Sequence, residues 1–495
     1  MRISSSMIYA AGSTQINNLQ SQLLQTQEQI SSGKAFLTPA DNPVAAAQAL
    51  IVTQTQASNT QFATNRQSAN NSLSQEESTL QGVTSLIQSA QSAVVSAGNG
   101  SYTPAERQAL ATSLQGTFNQ LLGLSNAQDG NGNYLFSGYR TSTQPFSTTP
   151  TGALYAGDQG QTSVQVSVSQ QMAVGDSGDV VFQNGVTGNG TFTTAAAAAN
   201  IGSGIVSSGS VVNPSALTGD SYVMTFKGIQ TAAGGANTGS GTISPGTIAL
   251  ASALNGDTYN LNFHVAAGVT TYDVVDATTA ATVSSGNAYT AGQSIQVSGA
   301  QFNVSGNPSN GDQFTLVANP TTYTISDTTN PLSATVPPPN QPFVSGQSIT
   351  FDGLQYSVTG TPANADSFTI KPSTKQSVFT TLTSLINLLN APPGPGVTGA
   401  TNLANGLNTA SNNLSSALNN VLTVRSSVGA RLNELTSLDT VGSNLNLQYA
   451  TTLSGLQGVD YAQAISQFSQ EQTTLTAAQQ TFVKLSNLSL FNYIA

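Results

Sequence analysis

Cysteine is absent from this 495-residue chain, and histidine occurs once, at His264. No disulfide framework can form, and thiol chemistry and histidine-based metal sites are excluded. Two readings fit the missing thiol: a cysteine-poor proteome, or export as an unfolded chain, where a stray thiol would crosslink. Charge is equally scarce. Only 6% of residues are charged, against about 25% in an ordinary soluble domain. Ser, Thr, Asn and Gln must supply the solubility. The net charge is -10, and no Arg occurs between Arg140 and Arg425. Nucleic acid is therefore excluded as a partner, because its phosphates need clustered cations. Long apolar runs are missing too. The longest are short, such as Ala195 to Ala199, far from the ~20 residues that span a bilayer, so no membrane insertion is expected. The start, MRISSSMIYAAGSTQ, has one Arg but no apolar core or cleavage pattern, so an ordinary secretory signal is not expected. Length alone suggests roughly two to four domains.

The first segment, about Ser13 to Ala127, is rich in Gln, Ser, Ala and Leu. Ile16, Leu19, Leu23 and Ile30 form a narrow helical stripe. The pattern stops within QISSGKAFLTPADNPVAAAQAL, residues 29 to 50. Gly33 suits the left-handed position that ends a helix, with Lys34 near the negative end of its dipole. Asp41 or Asn42 can cap the next helix, and Pro43 fits its first turn. That helix carries Leu73, Leu80, Val83 and Ile87. Another follows Thr103-Pro104, with Leu110, Leu114, Phe118 and Leu121.

From about Asp129 to Pro372 Gly, Thr, Ser, Asn and Val dominate and turn dipeptides recur, which reads as many short strands. NGNYLFSGY, residues 131 to 139, reads as a turn leading into a strand. TSVQVSVSQQMAV, residues 162 to 174, alternates with Val164, Val166 and Val168 on one face. GQSIQVSGAQFNVSGNPSNGDQFTL from Gly292 repeats as GQSITFDGLQYSVTGTPANADSFTI from Gly346, an offset of 54 without a gap. The spacing fits a duplicated β unit. A Gly-Asp-x-aromatic turn also occurs at Gly219 to Tyr222 and at Gly256 to Tyr259. The Pro-rich stretch from Pro337 to Pro342 reads as a stiff connector.

The last segment, Thr374 to Ala495, is helical again. Val378, Leu382, Leu385 and Leu389 form one stripe, and APPGPG at 391 to 396 interrupts it. Leu403 to Leu438 continue the pattern. From Gly442 to Leu488 one helix about 70 Å long is expected at ~1.5 Å per residue. Such a helix needs partners, and the other helical material lies at the far N-terminus. The expected fold is an α+β multidomain rod. Long antiparallel terminal helices form a coiled-coil-like bundle, and an all-β insert, partly duplicated, sits at the distal end. The expected domains are 1–42 and 441–495 for the terminal helices, 43–140 and 374–440 for the two halves of the bundle, 141–189 for a β-hairpin region and 190–373 for the insert.

No constellation of catalytic residues emerges. Asp129, Asn131 and Asn133 alternate as at the start of a calcium loop, but the sixth position is Tyr134 and the twelfth Arg140. We read a turn there. Ser32 to Lys34 lacks the rest of a phosphate loop. The Gly-Asp-x-aromatic turns read as fold elements whose aromatic buries on the next strand. His264 has no oriented partners in sequence, and the acidic residues are scattered. Neither cofactor, metal nor enzyme activity is expected. Terminal helices with one apolar seam point instead to packing against neighbouring subunits.

Two separated blocks resemble one family. Residues 29 to 50 resemble the N-terminal signature of bacterial flagellins and their relatives, and VGARLNELTSLDTVGSNLNLQYATTLSGLQGVDYAQAISQFSQEQTTLTAAQQTFVKLSNLSLFNYI, residues 428 to 494, resembles the C-terminal one. The resemblance covers about 1 to 180 and 375 to 495. MRISSSMIY, NGNYLFSGYRTSTQPF, GALYAGDQGQTSVQVSV and LSLFNYI are similar to the hook–filament junction branch rather than to flagellin itself. The resemblance implies a structural, secreted component of the extracellular flagellum at that junction. It would polymerise on the hook beneath the hook cap, seed the filament and be required for motility. It implies type III export, a cytosolic export chaperone, other copies of the chain, a hook-associated junction protein on the hook side and flagellin on the filament side. It implies a joint between tube layers at Gly33, Asp41, Asn42 and Pro43, with Arg431 in the C-terminal block beside Val428, Gly429 and Leu432. It also implies axial packing by Ile16, Leu19, Leu23, Ile30, Ile465, Phe468, Leu475, Phe482 and Leu485. Ala35 stands where a basic residue is common, Asn42 where a second Asp is common, and the insert is longer than usual. Two alternatives are the filament subunit itself, and an adhesin or carbohydrate-binding role of the insert through exposed Tyr222, Phe302 and Tyr356.

Overall fold

The apolar stripes at both ends of the chain fold as helices: α1 Ser5–Ser32, α2 Pro43–Ala97, α3 Pro104–Ser125, α4 Val378–Asn390, α5 Gly396–Gln457 and α6 Tyr461–Ile494. The computed structural model describes residues 5–331, 337–391 and 396–494, without the side chains at 5, 396, 397 and 487–494. Residues 392–395 of the APPGPG break, residues 1–4 of the N-terminal start and the side chains of LSLFNYI therefore lie outside it. Local chemistry sets the helix starts. Thr103 and Glu106 form a reciprocal capping box ahead of α3, and Ser377 accepts the amide of Phe379 at the start of α4.

The chain divides into two compact units. The first holds Met1–Asn71, Ser163–Val174 and Ala430–Ala495. In it α1 packs antiparallel to α6, and the first part of α2 runs against the last part of α5. Arg66 on α2, only 4% exposed in its side chain, pairs with Asp439 on α5. It also donates through Nη1 to the carbonyl of Val166 at 3.0 Å. Asn59 donates to the carbonyl of Gly442 and to Asn446 Oδ1. The guanidinium thus ties two helices to a hairpin, and its burial is compensated by charge and hydrogen bonds.

The second unit holds Ser72–Thr162 and Gly175–Gly429. Leu73, Leu80, Val83 and Ile87 of α2 are buried there, as are Leu114, Phe118 and Leu121 of α3, Leu382, Leu385 and Leu389 of α4, and Leu407, Leu414, Val421 and Val428 of α5. Arg425 on α5 pairs with Glu77 on α2 and reaches Thr84. A cluster of Phe118, Phe136, Phe146, Phe182 and Phe379 has ring centroids 5.3 to 5.9 Å apart. All five of these pairs are edge-on or tilted, as ring quadrupoles favour.

The strands are β1 Phe146–Thr149, β2 Gly152–Tyr155, β3 Ser163–Ser167, β4 Gln170–Ala173, β5 Phe192–Ala196, β6 Ile205–Val206, β7 Ser210–Val211, β8 Tyr222–Lys227, β9 Gln230–Ala233, β10 Thr242–Ile243, β11 Thr247–Ile248, β12 Thr258–Ala266, β13 Val269–Asp276, β14 Thr282–Ala288, β15 Ser294–Val297, β16 Ala300–Ser305, β17 Gln313–Val317, β18 Thr322–Asp327, β19 Gln341–Pro342, β20 Ser348–Phe351, β21 Leu354–Thr359 and β22 Ser367–Pro372. They form hairpins β1–β2 and β3–β4 and two lobes. A host lobe contains the sheet β19-β18-β8-β22-β5, with β6, β7, β20 and β21 beside it. A nested lobe, β9 to β17, contains the sheet β14-β13-β12-β17-β9, with β10, β11, β15 and β16 beside it. The strand order is the same. Alternation builds both cores: β12 buries Tyr259, Leu261 and Phe263, and β21 buries Leu354, Tyr356 and Val358.

The overall class is α+β, with the β-rich part between the terminal helices, and the structure corrects several local expectations. The single helix from Gly442 to Leu488 is broken, because α5 ends at Gln457 and α6 starts at Tyr461. NGNYLFSGY forms successive turns rather than a strand. The carboxylate of Asp129 accepts the amides of Asn131 and Asn133 and curls the backbone. β3 ends at Ser167, so Val168 sits in the turn and is 80% exposed instead of sharing a face with Val166. Of the Pro-rich connector, Gln341 and Pro342 pair with β18 as an edge strand, where a missing N–H is tolerated. Tyr222, Phe302 and Tyr356 are buried, at 4%, 2% and 2% exposure, which removes the exposed aromatics expected for sugar stacking.

Phe379→Ala would empty the centre of the aromatic cluster and cost about 3–5 kcal/mol. Amides of α3 and α4 should lose that much protection in native-state hydrogen exchange, with α1 and α6 unchanged.

Candidate functional site

The feature that brings the expected residues together is the joint where the terminal helices begin and end, inside the first unit. α1 stops at Ser32, and Gly33 takes φ +69°, the left-handed conformation that a side chain resists. The chain then meets the break between α5 and α6. The Ala35 amide donates to the carbonyl of Gln457 at 2.7 Å, and the Val459 amide donates to the carbonyl of Gly33 at 3.0 Å. Lys34 and Gly458 form an antiparallel bridge. Residues more than four hundred positions apart thus satisfy each other's backbone groups where two helices end.

Asp41 and Asn42 divide the work that the sequence left open between them. The Asp41 carboxylate accepts the amides of Leu37 at 2.9 Å and Thr38 at 2.8 Å, closing the loop. Those amides, Thr38 first and Leu37 second, hold its carboxyl below the usual aspartate value. Asn42 Oδ1 accepts the amide of Ala45 and caps α2, and Pro43 fills the first helical position. Gln29 donates to the carbonyl of Ala35 at 2.8 Å. On the facing side Asp460 Oδ1 accepts the amides of Ala462 and Gln463 and caps α6. Gly458, Asp460 and Tyr461 were not singled out in the sequence. The signal was there: Gly-x-Asp is a stop followed by a cap, as in Gly33 to Asn42.

Arg431 is not part of this contact set. Its Nη1 donates to the carbonyl of Ala173 at 3.1 Å and holds the end of β4. Nearby Gln170 bonds Glu434.

The α1–α6 seam buries Leu19 and Leu475, together with Thr26 and Ala464. Ile16, Leu23, Ile30, Phe468 and Phe482 are half-buried. Ile465 and Leu485 are 53% and 50% exposed and lie outside the buried seam. Near the chain ends Tyr9 and Phe482 stack at 4.9 Å, and Phe482 lies where a Cβ on Gly12 would stand. Ile8, Tyr9, Ile16, Phe482 and Leu485 line an apolar groove of about 650 Å³ there. Toward the joint the seam turns polar, and Gln22, Gln25, Gln29, Gln463, Gln467 and Gln470 line a cleft of about 800 Å³. The seam is therefore less apolar than its stripe of aliphatics suggests.

Among the described residues no group of three or more His, Asp or Glu is placed to hold a metal, and no helix is long and apolar enough to cross a membrane. His264 pairs with Asp273 on the neighbouring strand at 3.1 Å. What this arrangement offers is geometry: two capped helix starts locked side by side, an antiparallel helix pair and an apolar groove at its end.

The chain has counterparts among known proteins. Residues 3–141 match the family model of the bacterial flagellin N-terminal helical region. The chain is similar to flagellar hook-associated protein 3 of Salmonella typhimurium, with 42% identity over 189 residues, or 38% of this chain and 59% of that one. The match thus spans about three fifths of the curated relative's length. In structure it resembles flagellar hook-associated protein 3 of Legionella pneumophila, at 27% identity and TM-score 0.60, over 82% of this chain and 98% of that one. The flagellar junction protein FlgL from the same organism superposes with TM-score 0.57 at 27% identity, covering 83% and 100%.

Gly33→Ala should cost about 1 kcal/mol through its positive φ, read as faster exchange of the Ala35 and Val459 amides. The loop closed by Asp41 gives a pH signature. Its folded carboxyl titrates below the unfolded one, so its stabilisation is complete above the unfolded value of ~3.9 and is lost as pH falls through the folded value. Asp41→Asn should abolish that acid-side change in exchange at Leu37 and Thr38.

Proposed function

We propose that this chain is a structural subunit of the bacterial flagellum that joins the hook to the filament. It works by subunit packing, not by catalysis. The observation that carries the reading is the locked joint. It pairs the Gly33–Pro43 turn with the α5–α6 break in a chain that resembles hook-associated protein 3 in sequence and fold. A joint of this kind lets two helix pairs change direction together. The apolar groove of α1 and α6, with exposed Met7, Ile8, Val483 and Leu485 on the same helix ends, supplies surface for neighbouring subunits.

On this reading the partners are other copies of the chain, a hook-associated junction protein on the hook side and flagellin on the filament side. A cytosolic export chaperone holds the chain before type III export, and the assembled protein lies outside the cell at the hook–filament junction, where motility requires it. Gly33, Asp41, Asn42 and Pro43 form the joint between tube layers, and Leu19 and Leu475 anchor the axial pair. Arg431 acts one step away, by holding the β3–β4 hairpin.

Quantitative mass spectrometry of purified flagella tests this directly. The chain should be a minor component, far below the hook subunit. An excess over the hook subunit would make it the filament subunit instead. Deleting residues 455–495 removes α6 and its joint, so incorporation into flagella should be lost; normal incorporation would sink the proposal.

A further inference from the structure

The two lobes match residue for residue. In the host lobe β21 pairs with β6 and β7 as Val358↔Val206 and Leu354↔Val211. In the nested lobe β16 pairs with β10 and β11 as Val304↔Ile243 and Ala300↔Ile248. Each pair is the other shifted by 54 on one strand and 37 on its partner. The same shifts turn Phe368↔Ala196 into Phe314↔Ala233, and Ile370↔Tyr222 into Leu316↔Tyr259. Side chains follow the backbone. Buried Asp366 accepts the amides of Ile201, Gly202 and Ala363, and buried Asp312 accepts those of Thr238, Gly239 and Ser309. Asn200 brackets Ser367 as Asn237 brackets Gln313. NIGSGIVSSGSVVNPSALTGDSY from Asn200 aligns with NTGSGTISPGTIALASALNGDTY from Asn237, about half identical.

The largest difference lies in one hairpin. In the nested lobe β12 and β13 pair from Tyr259↔Asp276 to Ala266↔Val269, closed by Ala267 and Gly268 at φ 50° and 79°. Those are the left-handed angles of a two-residue hairpin turn. In the host lobe the equivalent strands pair from Tyr222↔Asp327 to Lys227↔Thr322. Where the nested lobe makes its turn, the host lobe carries the whole nested lobe, which leaves at Gly228 and returns at Thr321.

We propose that residues 228–321 are a second copy of the host lobe seated in the turn of its β8–β18 hairpin, and that this copy is a self-supporting module the rest of the chain does not need. Paired strand ends lie about 5 Å apart, so a domain with adjacent termini inserts there without distorting the sheet. The buried clusters share no residue: Leu261, Phe263, Phe302 and Phe314 build one, and Met224, Phe226, Tyr356 and Phe368 the other. The hydrogen bonds from α5 to the β part land on the host side. Asn405 bonds Gly204 and Val206, Thr398 bonds Ile201, and Asn413 bonds Gly188. The hairpin tip is therefore a site at which this fold accepts a folded domain.

The test uses the full chain with Gly228–Thr321 replaced by Val-Ala-Ala-Gly-Val-Thr, the residues that close the same hairpin at 265–270. Hydrogen exchange followed by mass spectrometry should leave peptides from 192–227 and 322–372 as protected as before. Loss of that protection overturns the proposal. A second variant keeps every residue in place. Phe314→Ala, in the nested core, should raise exchange about tenfold or more across β12, β13 and β17 and leave β5, β8 and β22 unchanged. If both lobes open together they are one cooperative unit and the module does not exist.

Discussion

Two backbone hydrogen bonds hold the ends of this chain to each other. Ala35 donates to Gln457, and Val459 donates to Gly33. They form where α1 and α5 stop, at helix ends whose terminal backbone groups lack intrahelical partners. Everything else in the first unit is consistent with keeping those ends in register. Arg66 binds Asp439 and Val166, Asn59 binds Gly442, and Arg431 binds Ala173, so each side chain spans elements that are remote in sequence. A chain with 6% charged residues spends Arg66, Arg425 and Arg431 at such crossings, where a guanidinium fork fixes geometry better than dispersion contacts do.

The two faces of this economy are visible along the α1–α6 pair. Aromatic and aliphatic contacts near Tyr9 and Phe482 give way to glutamines toward the joint. A seam that is half apolar holds two helices together only weakly on its own, because most helix stability comes from a buried face. That weakness suits helices whose remaining surface is to be covered by neighbours, which is the role proposed for them. In the second unit the opposite choice is made. A continuous phenylalanine cluster and the strips of α2, α3, α4 and α5 are buried within the chain itself.

Much of this was legible in the residues. The stripe Leu73, Leu80, Val83 and Ile87 buries as its spacing implies. Gly33, Asn42 and Pro43 stop and start helices for reasons carried by their own chemistry: left-handed φ, a side-chain acceptor and a fixed φ. The repeat at an offset of 54 reappears as β15–β17 and β20–β22. The earlier half of the duplication, at an offset of 37, was read only as two Gly-Asp-x-Tyr turns, although the residues before them from Asn200 and Asn237 also align. The partners of the joint, Gly458 and Asp460, went unread, since the apolar spacing of Leu453, Leu456, Ile465 and Phe468 runs on across a three-residue break.

The sequence by itself determined where helices begin and end, which faces they bury, and that the middle of the chain is made of short alternating strands. These are local properties, set by capping, φ preference and side-chain period. Tertiary structure alone decided that the Gly33 turn meets the break between α5 and α6, and that Tyr222, Phe302 and Tyr356 face inward. It also decided that one lobe is threaded through the turn of its twin. Each of those depends on pairing between residues far apart in the chain, and periodicity carries no information about which distant strand or helix end will supply the partner.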